Sequence, residues 1–147
     1  MRSLESYLSE YSESHRNPRN IQIHNICVPA IMWSLLALLS LVAFTPQLHL
    51  GHVVVVAALI YYGSFKNARV LLAMAVVAVL MLLSFRLLEF NTRLWSAIII
   101  FVVAWIGQFY GHKVEGKKPS FFKDLQFLLI GPVWVLHKIA PRWIKMN

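Results

Sequence analysis

The sequence predicts an all-α integral membrane bundle of four transmembrane helices, with an N-terminal amphipathic helix and a C-terminal interfacial or re-entrant helix. Of its 147 residues, 59% are apolar and only 14% are charged, whereas soluble domains average roughly 45–50% apolar and about 25% charged. The apolar residues form four long blocks, and apart from Arg69 none of these blocks contains Asp, Glu, Lys or Arg. This composition excludes a disordered chain, a coiled coil and an ordinary water-soluble globule. We expect residues 1–147 to form a single membrane domain.

The N-terminal segment Ser3–Ser14 is predicted to be an amphipathic helix. Its apolar residues recur at helical spacing, and they are Leu4, Tyr7, Leu8 and Tyr11. Pro18 is incompatible with continuing this helix, and Asn20 is the expected N-cap of the first span. Residues 1–20 are therefore predicted to be a helix and loop on the cytoplasmic surface.

Residues 26–110 are predicted to contain the four spans. The four apolar blocks are Ile26–Phe44, Leu48–Tyr62, Ala68–Phe85 and Leu94–Tyr110. At 1.5 Å per residue, about 18 residues rise roughly 27 Å, which is close to the thickness of a thin hydrocarbon layer. A buried helix of that length in a soluble protein would normally carry a polar stripe. The second block is the shortest of the four.

Residues 111–147 are predicted to form a cytoplasmic and interfacial segment. Its apolar part, Phe121–Leu136, is interrupted by Gly131-Pro132, so we expect an interfacial or re-entrant helix with a bend at Pro132. Tryptophan is enriched where a membrane meets water. We therefore expect the five tryptophans to be interface anchors; they are Trp33, Trp95, Trp105, Trp134 and Trp143.

The charge distribution predicts that both termini are cytoplasmic. With four spans in that orientation, 12 of the 14 Lys and Arg residues lie on the cytoplasmic side, as the positive-inside rule requires. The net charge of +8 then faces anionic membrane lipid. We expect no nucleic-acid partner, because no RNA- or DNA-binding motif accompanies the charge. The expected location is a bacterial inner membrane, or the endoplasmic reticulum if the chain is eukaryotic.

The same topology places several potential metal ligands at the cytoplasmic side. They are His15, His24, His112, His137 and Glu115. Imidazoles suit iron, zinc or copper, and two or three of them with a carboxylate suit oxygen-activating iron. Alternatively, each histidine is an interfacial anchor or hydrogen-bond partner, and Glu115 is a solvated partner of the following lysines. His49 and His52 are predicted on the opposite side, where a hydrogen-bonding role is the simpler interpretation.

Three motifs carry a family resemblance. They are His15-Arg16-Asn17-Pro18-Arg19-Asn20 with Ile23-His24 and Val28-Pro29, then Gln108-Phe109-Tyr110-Gly111-His112 with Glu115 and Lys117-Lys118-Pro119, and lastly Asp124-Leu125-Gln126 leading to Gly131-Pro132. Together they resemble the 2-hydroxy fatty acid dioxygenase family, whose eukaryotic members act in α-oxidation at the endoplasmic reticulum. The resemblance covers nearly the whole chain.

The resemblance implies an iron(II)-dependent enzyme that uses O₂ to remove the carboxyl carbon of a 2-hydroxy fatty acid, giving a fatty acid one carbon shorter. By position, the implied Fe²⁺ ligands are His15, His24 and His112. Glu115 matches a motif acid and is either a fourth ligand or a group that orients an imidazole. The substrate carboxylate would be attracted by basic residues that also serve as topology signals; these are Lys117, Lys118, Arg16 and Arg19.

Two alternatives are compatible with the apolar composition. A non-enzymatic membrane scaffold or transporter subunit would explain four spans and a basic face, but it would not explain why His and Glu concentrate on one face. A di-iron lipid hydroxylase would carry HxxxH and HxxHH clusters, and the sequence contains neither. The sequence leaves the oligomeric state open.

Overall fold

A computed structural model describes residues 2–116 and 127–142, and within them the chain forms six α-helices and no β-strand. The helices are α1 (Leu4–Glu13), α2 (Pro18–Leu39), α3 (Leu50–Gly63), α4 (Ala68–Phe85), α5 (Phe90–Val114) and α6 (Ile130–Ile139). The all-α prediction is confirmed for these residues. The chain divides into two compact units: unit 1 comprises Met1–Ala30 and Val103–Asn147, and unit 2 comprises Ile31–Val102.

Three of the described helices are long and apolar enough to cross a membrane. These are α2, α4 and α5, with 22, 18 and 25 residues. The predicted second span corresponds to α3, which has only 14 residues and rises about 21 Å. A fourth span therefore stays a prediction. Large apolar side chains on these helices are exposed, for example Ile60, Leu80 and Ile99, as expected of surfaces that face lipid.

In unit 1, α1 packs against α6. Ser3 caps α1, because its side chain accepts a hydrogen bond from Ser6 N at 3.2 Å, and Leu4, Leu8 and Tyr11 are buried along one face of the helix. In α6, every residue from Ile130 to Val135 is buried. The predicted N-terminal amphipathic helix is thus confirmed, and its apolar face is covered by another helix.

Helix α2 begins at Pro18, three residues before Ile21, which would be its first residue if Asn20 were the N-cap. Pro18 is its first residue, where the fixed backbone angle and missing N–H of proline are tolerated. Asn17 Oδ1 accepts from Arg19 N at 2.9 Å, and Asn17 O accepts from Ile21 N at 3.0 Å. The prediction that Asn20 caps this helix is wrong, because Asn17 caps it and Asn20 lies inside the first turn.

Proline also lies at the start of α6. Pro132 is the third residue of this helix, so its missing N–H needs no partner within the helix. The bend expected at Pro132 is therefore replaced by a helix that begins at Ile130. The first part of the predicted C-terminal helix, residues 121–126, lies outside the described residues, as does Trp143.

The core of unit 2 is aliphatic and aromatic, and α3 packs against α4 within it. Its buried residues are Leu36, Ala37, Val55, Ala78, Phe85 and Ala97. Asn67 caps α4 by accepting from Val70 N at 3.2 Å. The Trp33 indole packs edge-on against Phe85 and donates to Ser84 Oγ at 2.9 Å.

Candidate metal centre

Three histidines from three separate parts of the chain converge in unit 1. His15 follows the end of α1, His24 lies in the second turn of α2, and His112 lies in the last turn of α5. One ring nitrogen from each forms a group in which all three atoms lie within 4.8 Å of one another. The ring centroids of His15 and His24 are 4.2 Å apart, and those of His24 and His112 are 5.2 Å apart. We call these three residues the histidine triad.

All three rings are withdrawn from solvent. His15 is 4% exposed, His24 is fully buried, and His112 is 6% exposed. Buried polar atoms in folded proteins nearly always have a hydrogen-bond partner or a bound ion. The triad therefore requires a chemical explanation, which a histidine on a solvated surface would not.

Backbone carbonyls determine which nitrogen two of these rings present. His15 Nδ1 is 2.6 Å from Tyr11 O, and His24 Nδ1 is 3.0 Å from Asn20 O. A carbonyl oxygen only accepts, so each Nδ1 carries the hydrogen and each neutral ring has its lone pair on Nε2. His24 Nε2 is buried and has no hydrogen-bond partner among the described residues. This donor set fits a metal ion, which takes imidazole lone pairs while carbonyls hold the opposite ring nitrogens.

Two glycines allow α5 to approach the first turns of α2 closely. A Cβ on Gly107 would lie 2.6 Å from Cys27 Sγ, and one on Gly111 would overlap Asn20 Oδ1 and lie 3.2 Å from His24 Cε1. Glycines four residues apart are a known device for close packing of apolar helices. The sequence reasoning missed this role, although the Gly-x-x-x-Gly spacing in an apolar helix was a signal that could have revealed it.

Glu115 connects the end of α5 to the start of α2. Its Oε1 accepts from Arg16 N at 2.9 Å, and its Oε2 accepts from Asn17 N and Asn20 Nδ2, both at 2.9 Å. Burial raises the pKa of this carboxyl, but the three hydrogen bonds outweigh burial and hold the pKa below its usual value. Among the described residues, the group that could hold a metal contains the triad and does not include Glu115.

Aromatic side chains cover one side of the triad. The Tyr11 ring stacks on His15 with centroids 4.1 Å apart and planes 10° apart, and Trp134 lies 5.2 Å from the same imidazole. Trp134 is fully buried, and its Nε1 donates to Ser12 Oγ at 2.8 Å. The prediction of an interface anchor is therefore wrong for Trp134, whereas Trp95, at 61% exposed, is placed as an anchor would be.

The other predicted candidates lie outside the triad. His137 is half-buried in the last turn of α6. His49 and His52 pair at the start of α3 in unit 2, where His49 N donates to His52 Nδ1 at 3.3 Å. The side chains of Arg16 and Arg19 are exposed. Lys117 and Lys118 lie outside the described residues.

Comparison with known proteins gives the family. Residues 1–143 match a family model described as 2-hydroxy-palmitic acid dioxygenase Mpo1-like. The chain is 32% identical over 137 residues to a Saccharomyces cerevisiae protein named 2-hydroxy-palmitic acid dioxygenase MPO1. The aligned region covers 90% of this chain and 77% of the yeast protein. No solved structure matches the chain. The family resemblance read from the motifs is confirmed: the chain belongs to the 2-hydroxy-palmitic acid dioxygenase Mpo1-like family.

Proposed function

We propose that this protein is an iron(II)-dependent dioxygenase that shortens 2-hydroxy fatty acids by one carbon. The C1–C2 bond breaks, C2 is oxidised to the new carboxyl group, and C1 leaves as CO₂. One 2-hydroxy acid and one O₂ then balance one shortened acid, one CO₂ and one water, so O₂ is the only oxidant required. The buried histidine triad, found in a chain of this family, is the observation that carries the proposal.

The triad would hold the metal through Nε2 of His15 and His24 and through one ring nitrogen of His112. When bound, Fe²⁺ supplies redox chemistry with O₂ and a Lewis-acidic site for the carboxylate and 2-hydroxyl of the substrate. The chain holds two of the rings in place through Tyr11 O and Asn20 O, and the buried surroundings exclude water. Holding the reacting groups together in this way can supply several kcal/mol of the barrier reduction.

Glu115 acts in this proposal as a positioning residue. Its carboxylate accepts hydrogen bonds from Arg16 N and Asn17 N, which lie directly after His15, and from Asn20 Nδ2, one turn before His24. It therefore fixes the segment that joins two of the metal ligands. The substrate carboxylate would be attracted from the cytoplasmic side by four basic residues, which are Lys117, Lys118, Arg16 and Arg19.

The proposed setting is a membrane crossed four times, with both termini cytoplasmic and the acyl chain lying among the apolar helices. A bacterial chain would lie in the inner membrane, and a eukaryotic one in the endoplasmic reticulum. The exposed apolar side chains of α3, such as Val53, Val56 and Ile60, support lipid contact along this short helix.

Cysteine labelling tests the proposed topology. With Cys27→Ser as background, Gln47→Cys and Lys66→Cys should react with a membrane-impermeant maleimide from opposite sides. Labelling of both from the same side would show that α3 does not span the membrane.

Product analysis tests the activity. Protein loaded with Fe²⁺ should convert 2-hydroxypalmitate labelled with ¹³C at C1 into pentadecanoate and ¹³CO₂ when O₂ is admitted. His24→Ala should form neither product, whereas the matched variant His52→Ala, which alters a histidine outside the triad, should form both. Absence of pentadecanoate from the iron-loaded wild-type protein would contradict the proposal.

A further inference from the structure

Gln108 is a buried polar residue that the proposed chemistry does not use. It lies in α5 and is only 5% exposed, yet its Oε1 has no hydrogen-bond partner among the described residues. A buried acceptor without a partner is destabilising relative to one that is paired. An apolar residue of similar length would avoid this cost, so the amide needs an explanation.

Gln108 lies in the same helix as His112, one of the three triad histidines. Gln108 and His112 are four residues apart in one helix, so their side chains lie on the same face, about 6 Å apart along the axis. From His112, Gln108 lies in the direction of Ala104 and Trp105, both of which are buried. A polar group on the interior face of an apolar helix is a functional candidate by default.

The other buried amide side chain described in unit 1, that of Asn20, has a local role. Asn20 donates to Glu115, and its Oδ1 lies against Gly111, where a Cβ would overlap it. Asn20 Oδ1 is also buried without a hydrogen-bond partner among the described residues, but this close helix contact accounts for its place. For Gln108, no side-chain hydrogen bond and no close approach to a glycine is found in the described part of the chain, which favours a ligand as its partner.

We propose that Gln108 is a substrate-binding residue whose Oε1 accepts a hydrogen bond from the 2-hydroxyl group of the fatty acid. The proposal rests on the proposed function, in which the carboxylate and the hydroxyl oxygen lie at the triad. The hydroxyl hydrogen then remains free to be donated, and an amide oxygen one turn along α5 is a suitable acceptor.

The consequence is selection for hydroxylated over unsubstituted fatty acids. A site built to pair with a substrate hydroxyl discriminates against an analogue that lacks it, because only the hydroxylated acid gives the buried Oε1 the hydrogen bond that it lacks in the free protein. Apolar contacts with the acyl chain cannot provide this discrimination, because the two acids have the same chain. Gln108 would thus separate 2-hydroxypalmitate from palmitate.

Ligand binding tests the proposal without turnover. Wild-type protein loaded with Fe²⁺ and kept anaerobic is compared with Gln108→Met, which preserves length and removes the amide. Displacement of a fluorescent fatty acid gives the affinities for 2-hydroxypalmitate and palmitate. We expect the preference of the wild type for the hydroxy acid to fall about tenfold in the variant, with palmitate affinity and iron content unchanged.

Two further variants keep the test decisive. Gln22→Met makes the same change at an exposed position of α2 and should keep the preference of the wild type. Gln108→Asn keeps an amide but withdraws it by one methylene, so it should lose the preference even if the methionine variant fails to fold.

The possible failures are distinguishable. An unchanged preference in a folded Gln108 variant overturns the role of Gln108, whatever the catalytic result. Absence of product from the wild-type protein contradicts the proposed reaction, whereas the binding comparison still reports on Gln108. A preference that falls only because palmitate binds more tightly would also overturn the proposal, since no hydrogen bond to the hydroxyl would then have been lost.

Discussion

The interiors of the two units differ in how they treat polar groups. In unit 2 the buried hydroxyls bond to their own helix: Ser34 Oγ donates to Ile31 O at 3.1 Å, and Ser40 Oγ donates to Ala37 O at 2.6 Å. In unit 1, His24 Nε2 and Gln108 Oε1 are buried with no hydrogen-bond partner among the described residues. His49 Nδ1 and Arg93 Nε of unit 2 are also buried without a hydrogen-bond partner among the described residues, but neither residue belongs to its hydrophobic core. The core of unit 2 is therefore apolar, whereas unit 1 holds three histidine rings together in its interior.

This difference indicates a division of work. An apolar core is stabilised by packing alone, and the helices around it can face lipid on their outer side. A core with uncompensated lone pairs is less stable than it could be, and it recovers that free energy when a ligand binds. We therefore expect substitutions in unit 1 to affect metal and substrate binding, and matched substitutions in unit 2 to affect only stability.

The largest effect is expected from removing a triad histidine. His24→Ala deletes one of three imidazoles, and the remaining two should bind Fe²⁺ at least 100-fold more weakly, which would abolish activity. His52→Ala in unit 2 also removes an imidazole but should retain the metal. Metal analysis after dialysis measures both, with circular dichroism as the check on folding. Equal metal loss in the two variants would contradict the expectation that metal binding depends on unit 1 alone.

A smaller but still large effect is expected from Gly111→Ala. The added methyl group would overlap Asn20 Oδ1 and press on the His24 ring, and overpacking of this kind costs about 1–3 kcal/mol. Because His24 must shift, iron affinity should fall as well, by roughly tenfold or more. Gly63→Ala in unit 2 is the matched control, since a Cβ there meets nothing within 4 Å.

Chemical denaturation and iron titration of these two glycine variants give the comparison. The unfolding midpoint should fall for Gly111→Ala and stay nearly constant for Gly63→Ala. Wild-type iron affinity in Gly111→Ala would show that the close approach of α5 to α2 does not position His24.

The sequence was a good guide to what depends on composition and periodicity. The apolar blocks around residues 68–85 and 94–110 correspond to α4 and α5, and Ser3–Ser14 contains α1, because 3.6-residue periodicity and long apolar runs are local signals. The three histidines that the motifs and the topology singled out lie together in unit 1, and their role as metal ligands stays a prediction. Local patterns sufficed here because each of these elements is specified by its own segment.

What the sequence did not reveal depends on contacts between distant segments. Three contacts in unit 1 join residues about 90 or more positions apart. They are the close approach of Gly111 to Asn20, the hydrogen bonds from residues 16–20 to Glu115, and the packing of Trp134 against His15. Trp134 was misread as an anchor because a tryptophan in an apolar run has the same local pattern in a core as at an interface. The α2 cap was misplaced because proline at a first helical position is easily taken for a break.

An intermediate effect is expected at Glu115. Glu115→Ala leaves Arg16 N, Asn17 N and Asn20 Nδ2 without their acceptor, which should cost about 1–2 kcal/mol and weaken iron binding about tenfold. Glu89→Gln, at an exposed carboxylate of unit 2, should change neither quantity. Wild-type iron affinity in Glu115→Ala would remove Glu115 from any positioning role.

The pH dependence at Glu115 has a defined sign. The pKa of its carboxyl in the folded protein lies below the ordinary value of 4.5, so the folded state favours the ionised form. The stabilisation is fully present above pH 4.5 and is lost as the pH falls through the lower folded pKa. Metal-free Glu115→Gln should therefore lose less stability than the wild type on acidification below 4.5, measured by urea unfolding at successive pH values.

The smallest effect is expected from the two indole hydrogen bonds, which are chemically alike but lie in different units. Trp134→Phe removes the donor to Ser12 Oγ, and Trp33→Phe removes the donor to Ser84 Oγ. Each should cost about 0.5–1.5 kcal/mol of stability. Only the Trp134 indole lies against a triad ring, with centroids 5.2 Å apart from His15, so only Trp134→Phe should also weaken iron binding, by a few-fold. If both variants lose stability equally and both keep iron affinity, the aromatic cover on His15 serves packing alone, and the functional part of unit 1 narrows to the histidines, the glycines and Glu115.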